Sequence, residues 1–194
     1  WFTPSLNDSL LDPLLRAGIT HLWFVTLHPF DDGNGRITRT LTDLSLAQMD
    51  EQSIRLYAMS TAILNKRKSY YEILEQTQKN DSDITDWLVW FLDTLNDSLE
   101  KTLVQINRTL FKSQFWHKYS NLALSQEQRK VLNRLLDGGE NGFEHGISAS
   151  QYQKVAKTSK ATATRHLSDL LEKKCIVKLE GGGRNTRYQI NTQL

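Results

Sequence analysis

The sequence predicts a mainly α protein: an all-α domain followed by a small helical domain that ends in a β-hairpin. Three observations carry this. Before residue 120, apolar residues recur at spacings of three and four, and alternating β-branched runs are scarce. From about Leu124 the helices become short, and the first two open on a Ser-x-x-Gln cap. Two short β-type runs, Ile176-Val177-Lys178-Leu179 and Arg187-Tyr188-Gln189-Ile190, flank the turn residues Gly181-Gly182-Gly183-Arg184-Asn185.

The elements follow in order. Asp12 before Pro13 reads as an N-cap with proline at the first helical position. Leu15, Ile19, Leu22, Trp23 and Thr26 then mark a helix to about His28. The polar segment Pro29-Phe30-Asp31-Asp32-Gly33 interrupts it, and a second helix starts near Asn34 with Ile37, Leu41 and Leu44 on its buried stripe. A third covers about Ser60 to Lys79. Thr85 is expected to cap a long amphipathic helix that buries Leu88, Phe91, Leu95, Leu99, Ile106 and Leu110. The Trp87-Trp90-Phe91 cluster reads as core. Ser125 caps a helix that ends at Gly138-Gly139, and Ser148 caps a short one. A last helix follows the turn at Thr158-Ser159 and runs to about Lys174, burying Ala163, Leu167, Leu170 and Leu171. These readings divide the chain into domains at 1–115 and 124–194, with a linker at 116–123.

Bulk properties narrow the class. The 194 residues are 39% hydrophobic and 24% charged, as in a globular protein, with no run long enough for a membrane span and no signal-peptide pattern. The single cysteine, Cys175, excludes an internal disulfide and fits a reducing, cytoplasmic setting; it reads as a small core residue. The chain opens on Trp1, so a fragment of a longer protein is expected. Charge is uneven. Residues 1–120 hold 12 Lys and Arg against 15 Asp and Glu, a net of −3, whereas residues 121–194 hold 12 against 7, a net of +5. Only the second part is a candidate partner for a polyanion.

The chemistry gathers between the first two helices, in His28-Pro29-Phe30-Asp31-Asp32-Gly33-Asn34-Gly35-Arg36-Ile37-Thr38-Arg39. Gly33 and Gly35 allow a tight turn and a close approach of backbone N–H groups to a ligand. Those groups open a helix, where unsatisfied donors and the helix dipole favour an anion. Arg36 and Arg39, three apart, share a helix face and reach the same anion. Asp32 offers the hard carboxylate oxygen that Mg²⁺ takes when phosphates complete its shell. His28 is the nearby group able to accept a proton near neutral pH. A phosphate cradle, a metal carboxylate and a base describe phosphoryl or nucleotidyl transfer. His21, His117, His145 and His166 show no metal-ligand pairing and read as surface or packing residues.

These residues resemble the Fic family, whose signature His-Pro-Phe-x-Asp/Glu-Gly-Asn-Gly-Arg-x-x-Arg is met at His28, Pro29, Phe30, Asp32, Gly33, Asn34, Gly35, Arg36 and Arg39. The resemblance implies an adenylyltransferase that moves AMP from MgATP to a Tyr, Ser or Thr hydroxyl of a target protein. It makes His28 the base, Asp32 the Mg²⁺ ligand, Gly33, Asn34 and Gly35 the anion hole, and Arg36 and Arg39 the partners of the outer phosphates. Phe30 becomes a core anchor of the loop. Tyr70 and Tyr71 border the adenosine, with Gln78 where the family commonly has Asn. Two features of the family are not visible: the β-hairpin flap that docks the target, and the inhibitory Ser/Thr-x-x-x-Glu-Gly/Asn segment. Glu140-Asn141 and Glu180-Gly181 follow Leu136 and Ile176 at the position where Ser or Thr belongs.

The last three helices and the basic hairpin look like a winged helix-turn-helix. In that reading Lys160, Thr162, Thr164 and Arg165 open the recognition helix, and Arg184 and Arg187 sit on the wing. Its partner is duplex DNA, a second copy of the chain in a homodimer, or a docked substrate. The alternative to an enzyme is therefore a DNA-binding transcriptional regulator whose Fic-like domain senses nucleotide.

Overall fold

The computed structural model describes residues 11–50, 58–79, 82–138, 143, 145–179 and 186–193, with the side chains of residues 49 and 50 left aside. The described chain is mainly helical, with a three-stranded antiparallel sheet near its C-terminal end. It forms two compact units, Trp1–Val104 and Gln105–Leu194.

In the first unit, α1 (Pro13–Leu27) starts as expected: the Asp12 carboxylate accepts from the N–H groups of Leu14 and Leu15. It packs against α2 (Asn34–Asp50). The segment expected as one helix from Ser60 to Lys79 is two, α3 (Met59–Asn65) and α4 (Arg67–Lys79), broken at Lys66. Lys66 makes an ion pair with Asp97 at 2.6 Å. Periodicity alone misses such a break, because the apolar spacing continues across it. Next comes α5 (Thr85–Lys118), where Thr85 is the first helical residue and not the cap. Its N–H and hydroxyl both donate to Asp83 Oδ1.

The core of this unit is built on aromatic rings. Trp87 and Phe91 of α5 are fully buried, as expected, and pack with Ala17, Leu22, Leu46 and Ile63. Trp87 donates its indole N–H to the Gly18 carbonyl at 2.9 Å, which satisfies its one polar atom. A Cβ at Gly18 would lie 3.0 Å from Leu88 Cδ2 and 3.1 Å from Phe91 Cδ1, so α1 approaches α5 at a glycine. The apolar stripe of α5 is buried at Leu95, but Leu99 and Leu110, expected to be buried, are exposed. Heptad-like spacing marks a face of a helix without saying what covers it.

The second unit contains the end of α5, then α6 (Gln126–Asp137), β1 (Ile147–Ser148), α7 (Ala149–Ala156), α8 (Lys160–Glu172), β2 (Ile176–Lys178) and β3 (Arg187–Ile190). Both Ser-x-x-Gln segments form capping boxes, at Ser125 with Gln128 and at Ser148 with Gln151. Ser159 caps α8. Strand order is β1-β3-β2, with Ile147 opposite Tyr188 and Ile176 opposite Ile190. β1 has two residues, too few for an alternating pattern, and sequence reading missed it. Residues 116–118 continue α5, and Phe115 and Tyr119 are buried in the core with Leu132, Tyr152 and Leu170. The division between the two compact units lies inside α5, between Val104 and Gln105, and the segment read as a linker starts within that helix. Cys175 is buried, and burial pushes its thiol up to about 11.

The close approach at Gly18 generates a test. Gly18→Val should destabilise the first unit by about 1–3 kcal/mol through overpacking against Leu88 and Phe91. Urea denaturation followed by tryptophan fluorescence checks it; an unchanged midpoint would mean that the helices separate there without cost.

Candidate active site

The site begins where α1 is forced to stop. Pro29 cannot continue a helix and disfavours helical backbone at the residue before it. His28 instead adopts the left-handed conformation at φ 46, and its N–H closes the last turn onto the Phe24 carbonyl at 3.2 Å. The imidazole is thereby presented on an exposed residue at the helix end.

Five residues later the chain turns into α2. Gly33 holds φ 84, a region that strains any residue with a Cβ. Its carbonyl accepts from the N–H groups of Arg36 and Ile37 at 2.9 and 3.0 Å, which makes it the cap position of α2. The two amides before these, at Asn34 and Gly35, have no intrahelical acceptor. Asn34 is 3% exposed: its Oδ1 accepts from Phe30 N–H at 3.0 Å, and its amide donates back to the Phe30 carbonyl. That bracket turns the Asn34 side chain onto the backbone of the loop. It also does the work expected of Phe30, which is 52% exposed and touches Phe24 across 6.2 Å between ring centroids. The loop is anchored by an amide and not by an aromatic core residue.

The two arginines converge on the two glycines. A Cβ at Gly33 would lie 3.5 Å from Arg36 Nη2, and one at Gly35 would lie 3.5 Å from Arg39 Nη1. Asp32 faces the same place. Its Oδ1 accepts from Gly33 N–H at 2.6 Å, and its Oδ2 pairs with Arg36 Nη2 at 3.2 Å. Both partners of that pair are highly exposed, so the pair is weak and exchangeable. Among the described residues no three His, Cys, Asp or Glu side chains gather as a metal cage. A single carboxylate beside a phosphate cradle is nevertheless the donor set Mg²⁺ uses when phosphate oxygens complete its shell.

Tyr70 and Tyr71 lie on α4 with ring centroids 5.2 Å apart. Tyr71 is 56% exposed. Gln78 donates to Thr26 Oγ1 at 3.0 Å, tying α4 to α1. His21, read as a surface or packing residue, is 1% exposed, with Nδ1 2.9 Å from Thr42 Oγ1 and Nε2 3.0 Å from Tyr70 Oη. The signal for it was its position two turns before His28 on an apolar stripe. Threonines at 38 and 42, one turn apart on α2, were a second clue.

The tautomer follows from the partners. The one hydroxyl proton of Thr42 goes to the Thr38 carbonyl at 2.8 Å, so His21 Nδ1–H donates to Thr42. Burial, and secondarily the charge of Arg39, push the His21 imidazole down to about 3, so the ring is neutral and Nε2 accepts from Tyr70 O–H. Burial in turn pushes the Tyr70 hydroxyl up to about 12.

With this geometry in place, the relatives can be compared. Residues 2–46 match the model of the Fic/DOC family. This segment carries a Fic/DOC signature. The protein adenylyltransferases fic-1 of Caenorhabditis briggsae and Caenorhabditis elegans are each 50% identical to it over 42 residues. That alignment spans 20% of this chain and 8% of each relative. A crystal structure of a Fic family protein from Desulfovibrio desulfuricans G20 aligns with 97% of this chain and 52% of its own, at 20% identity and a TM-score of 0.49. The segment match, which contains the whole run from His28 to Arg39, supports a Fic-type function.

In the second unit, Lys160, Thr164 and Arg165 are exposed on α8, whereas the Thr162 hydroxyl lies 3.0 Å from Ser159 Oγ within the cap. Arg187 donates to the Gly146 carbonyl at 2.9 Å. Arg184 lies outside the described residues. His166 Nδ1 is 2.9 Å from Tyr152 Oη, whereas His117 and His145 are exposed. No described helix is long and apolar enough to cross a membrane.

The buried neutral histidine makes stability depend on pH. In the unfolded chain His21 titrates near 6.5, whereas in the fold it stays neutral down to about 3. Between those values the unfolded state holds the extra proton, so His21 contributes nothing adverse above pH 6.5 and subtracts stability as pH falls. The loss approaches about 1.4 kcal/mol per pH unit. Urea titrations from pH 4 to 7 should show a steeper acid slope for the native chain than for His21→Gln. Equal slopes would show that the folded ring takes up the proton.

Proposed function

We propose that this chain is a nucleotidyltransferase that moves AMP from MgATP to a Tyr, Ser or Thr hydroxyl of a target protein. The observation that carries the reading is the convergence of Arg36 and Arg39 on Gly33 and Gly35 at the start of α2, with His28 at the opposite end of the same loop.

The residues divide the chemistry. The first-turn amides of α2 and the two guanidinium groups receive the phosphates. Asp32 leaves Gly33 N–H and Arg36 as they do so, which frees the amide for an anion and the carboxylate for Mg²⁺. When bound, Mg²⁺ neutralises charge on the phosphates. His28 takes the proton of the incoming hydroxyl. That oxygen bonds to the α-phosphorus as the bond to the pyrophosphate oxygen breaks, and pyrophosphate departs toward Arg36 and Arg39. Tyr70 and Tyr71 border the adenosine. In the second unit, the order α6-β1-α7-α8-β2-β3 and the β1-β3-β2 sheet support a winged helix, acting as a module that docks a target or a second copy. The comparisons give no support to the alternative of a DNA-binding regulator.

Two substitutions test the assignment. His28→Ala should reduce labelling of self or target with labelled ATP by roughly 10²–10⁴-fold while MgATP affinity stays within about twofold. Undiminished labelling would assign the base elsewhere. Arg36→Ala should weaken ATP more than AMP in calorimetric titration, because the lost contact is with outer phosphates. An equal loss for both nucleotides would remove Arg36 from that role.

A further inference from the structure

One hydrogen-bonded chain crosses three helices of the first unit. It runs from the Tyr70 hydroxyl on α4 to His21 Nε2 on α1, then from His21 Nδ1–H to the Thr42 hydroxyl on α2 and on to the Thr38 carbonyl. The Thr38 hydroxyl donates to the Asn34 carbonyl at 2.8 Å, and Asn34 brackets the loop at Phe30. Every proton in the chain has one direction, because Thr42 has one to give and the ring is neutral. Tyr70 in turn sets its neighbours: its ring lies edge-on to Tyr71 and 5.6 Å from Trp90.

We propose that His21 is a positioning residue for nucleotide binding: it holds the Tyr70–Tyr71 wall of α4 at a fixed place relative to the loop and phosphate cradle of α2. The inference rests on the nucleotide-transfer reading above. His21 touches no reacting atom in this scheme. It acts through Tyr70 on one side and through Thr42, Thr38 and Asn34 on the other. Its burial makes the bonds stiff, since a buried polar group that loses its partner has no water to turn to. The Arg39 charge close to His21 and Tyr70 places an outer-phosphate ligand beside the same pin. Ring position is thereby converted into the spacing between base site and phosphate site. Binding of the whole nucleotide, more than the rate once it is bound, should depend on it.

The two ring nitrogens can be tested one at a time. A glutamine amide reaches the position of Nε2 and can accept from Tyr70, whereas an asparagine amide reaches only that of Nδ1 and can donate to Thr42. MgATP affinity is measured by calorimetry on the 194-residue chain, and self-labelling at saturating MgATP is followed in parallel. His21→Phe should weaken MgATP about five- to tenfold while the saturated rate changes less than about twofold, and Tyr70→Phe should weaken MgATP to a similar degree. The double variant should bind no more weakly than either single one, because both remove the same bond. His21→Gln should recover most of the affinity, and His21→Asn should not. Tyr70→Phe removes one oxygen and tests the same bond if His21→Phe does not fold. Native affinity in Tyr70→Phe, additive losses in the double variant, or equal affinities for the Gln and Asn variants would overturn the positioning role. If the native chain itself binds no MgATP, the nucleotide-transfer reading falls and takes this inference with it.

Discussion

The first unit depends on a short reversal between two helices that must hold its shape while its charged side chains stay exposed. Pro29 ends α1, Gly33 turns the chain into α2, and the Asn34 side chain closes the loop from inside through both backbone groups of Phe30. The buried amide does the holding, through both of its polar atoms. An aromatic anchor would have drawn the loop toward the core. Here Phe30 is half exposed, and the loop still has a defined form.

The charged groups of the loop are kept apart from the buried histidine of this unit. Asp32, Arg36 and His28 are exposed, and the pair between Asp32 and Arg36 is weak enough to be exchanged. His21 is buried and neutral, with both nitrogens engaged, so it contributes directed hydrogen bonds and no charge. A cationic histidine beside Arg39 would repel it and would leave Tyr70 without an acceptor. Neutral His21 and the charged loop are linked through Thr42, Thr38 and Asn34.

The second unit is held differently. Short helices with reciprocal caps, a three-stranded sheet and a core of Phe115, Leu132, Tyr152 and Leu170 are cross-linked by long-range polar bonds, such as those from Gln128 to Asp169 and from Lys173 to the Ala123 carbonyl. Another is Tyr119 donating to the Lys174 carbonyl at 2.7 Å, which ties the end of α5 to the turn before β2. Its positive charge is spread over the helices and strands, from Arg129, Lys130 and Arg134 on α6 to Lys160 and Arg165 on α8, and part of it is engaged internally, as in the bond from Arg187 to Gly146.

Most helices and the whole loop from His28 to Arg39 were legible in the sequence, because their causes are local. An Asp-Pro start, Ser-x-x-Gln caps, a proline stop and a glycine turn act within a few residues. Features decided at a distance were not legible. The break at Lys66, the two-residue strand β1, the exposure of Leu99 and Leu110, and the continuation of α5 through residue 118 each depend on what another segment does. His21 shows the difference most clearly. Seven residues before His28 it could be placed on a helix face, but its partners Thr42 and Tyr70 lie 21 and 49 residues away. By itself the sequence determined the chemical groups of the cradle and their order along the chain, since spacing within one loop and one helix turn is covalent geometry. Only the tertiary structure decided which of those groups are buried, which way their protons point, and that Tyr70 belongs with the loop, because packing brings together residues that covalent spacing leaves apart.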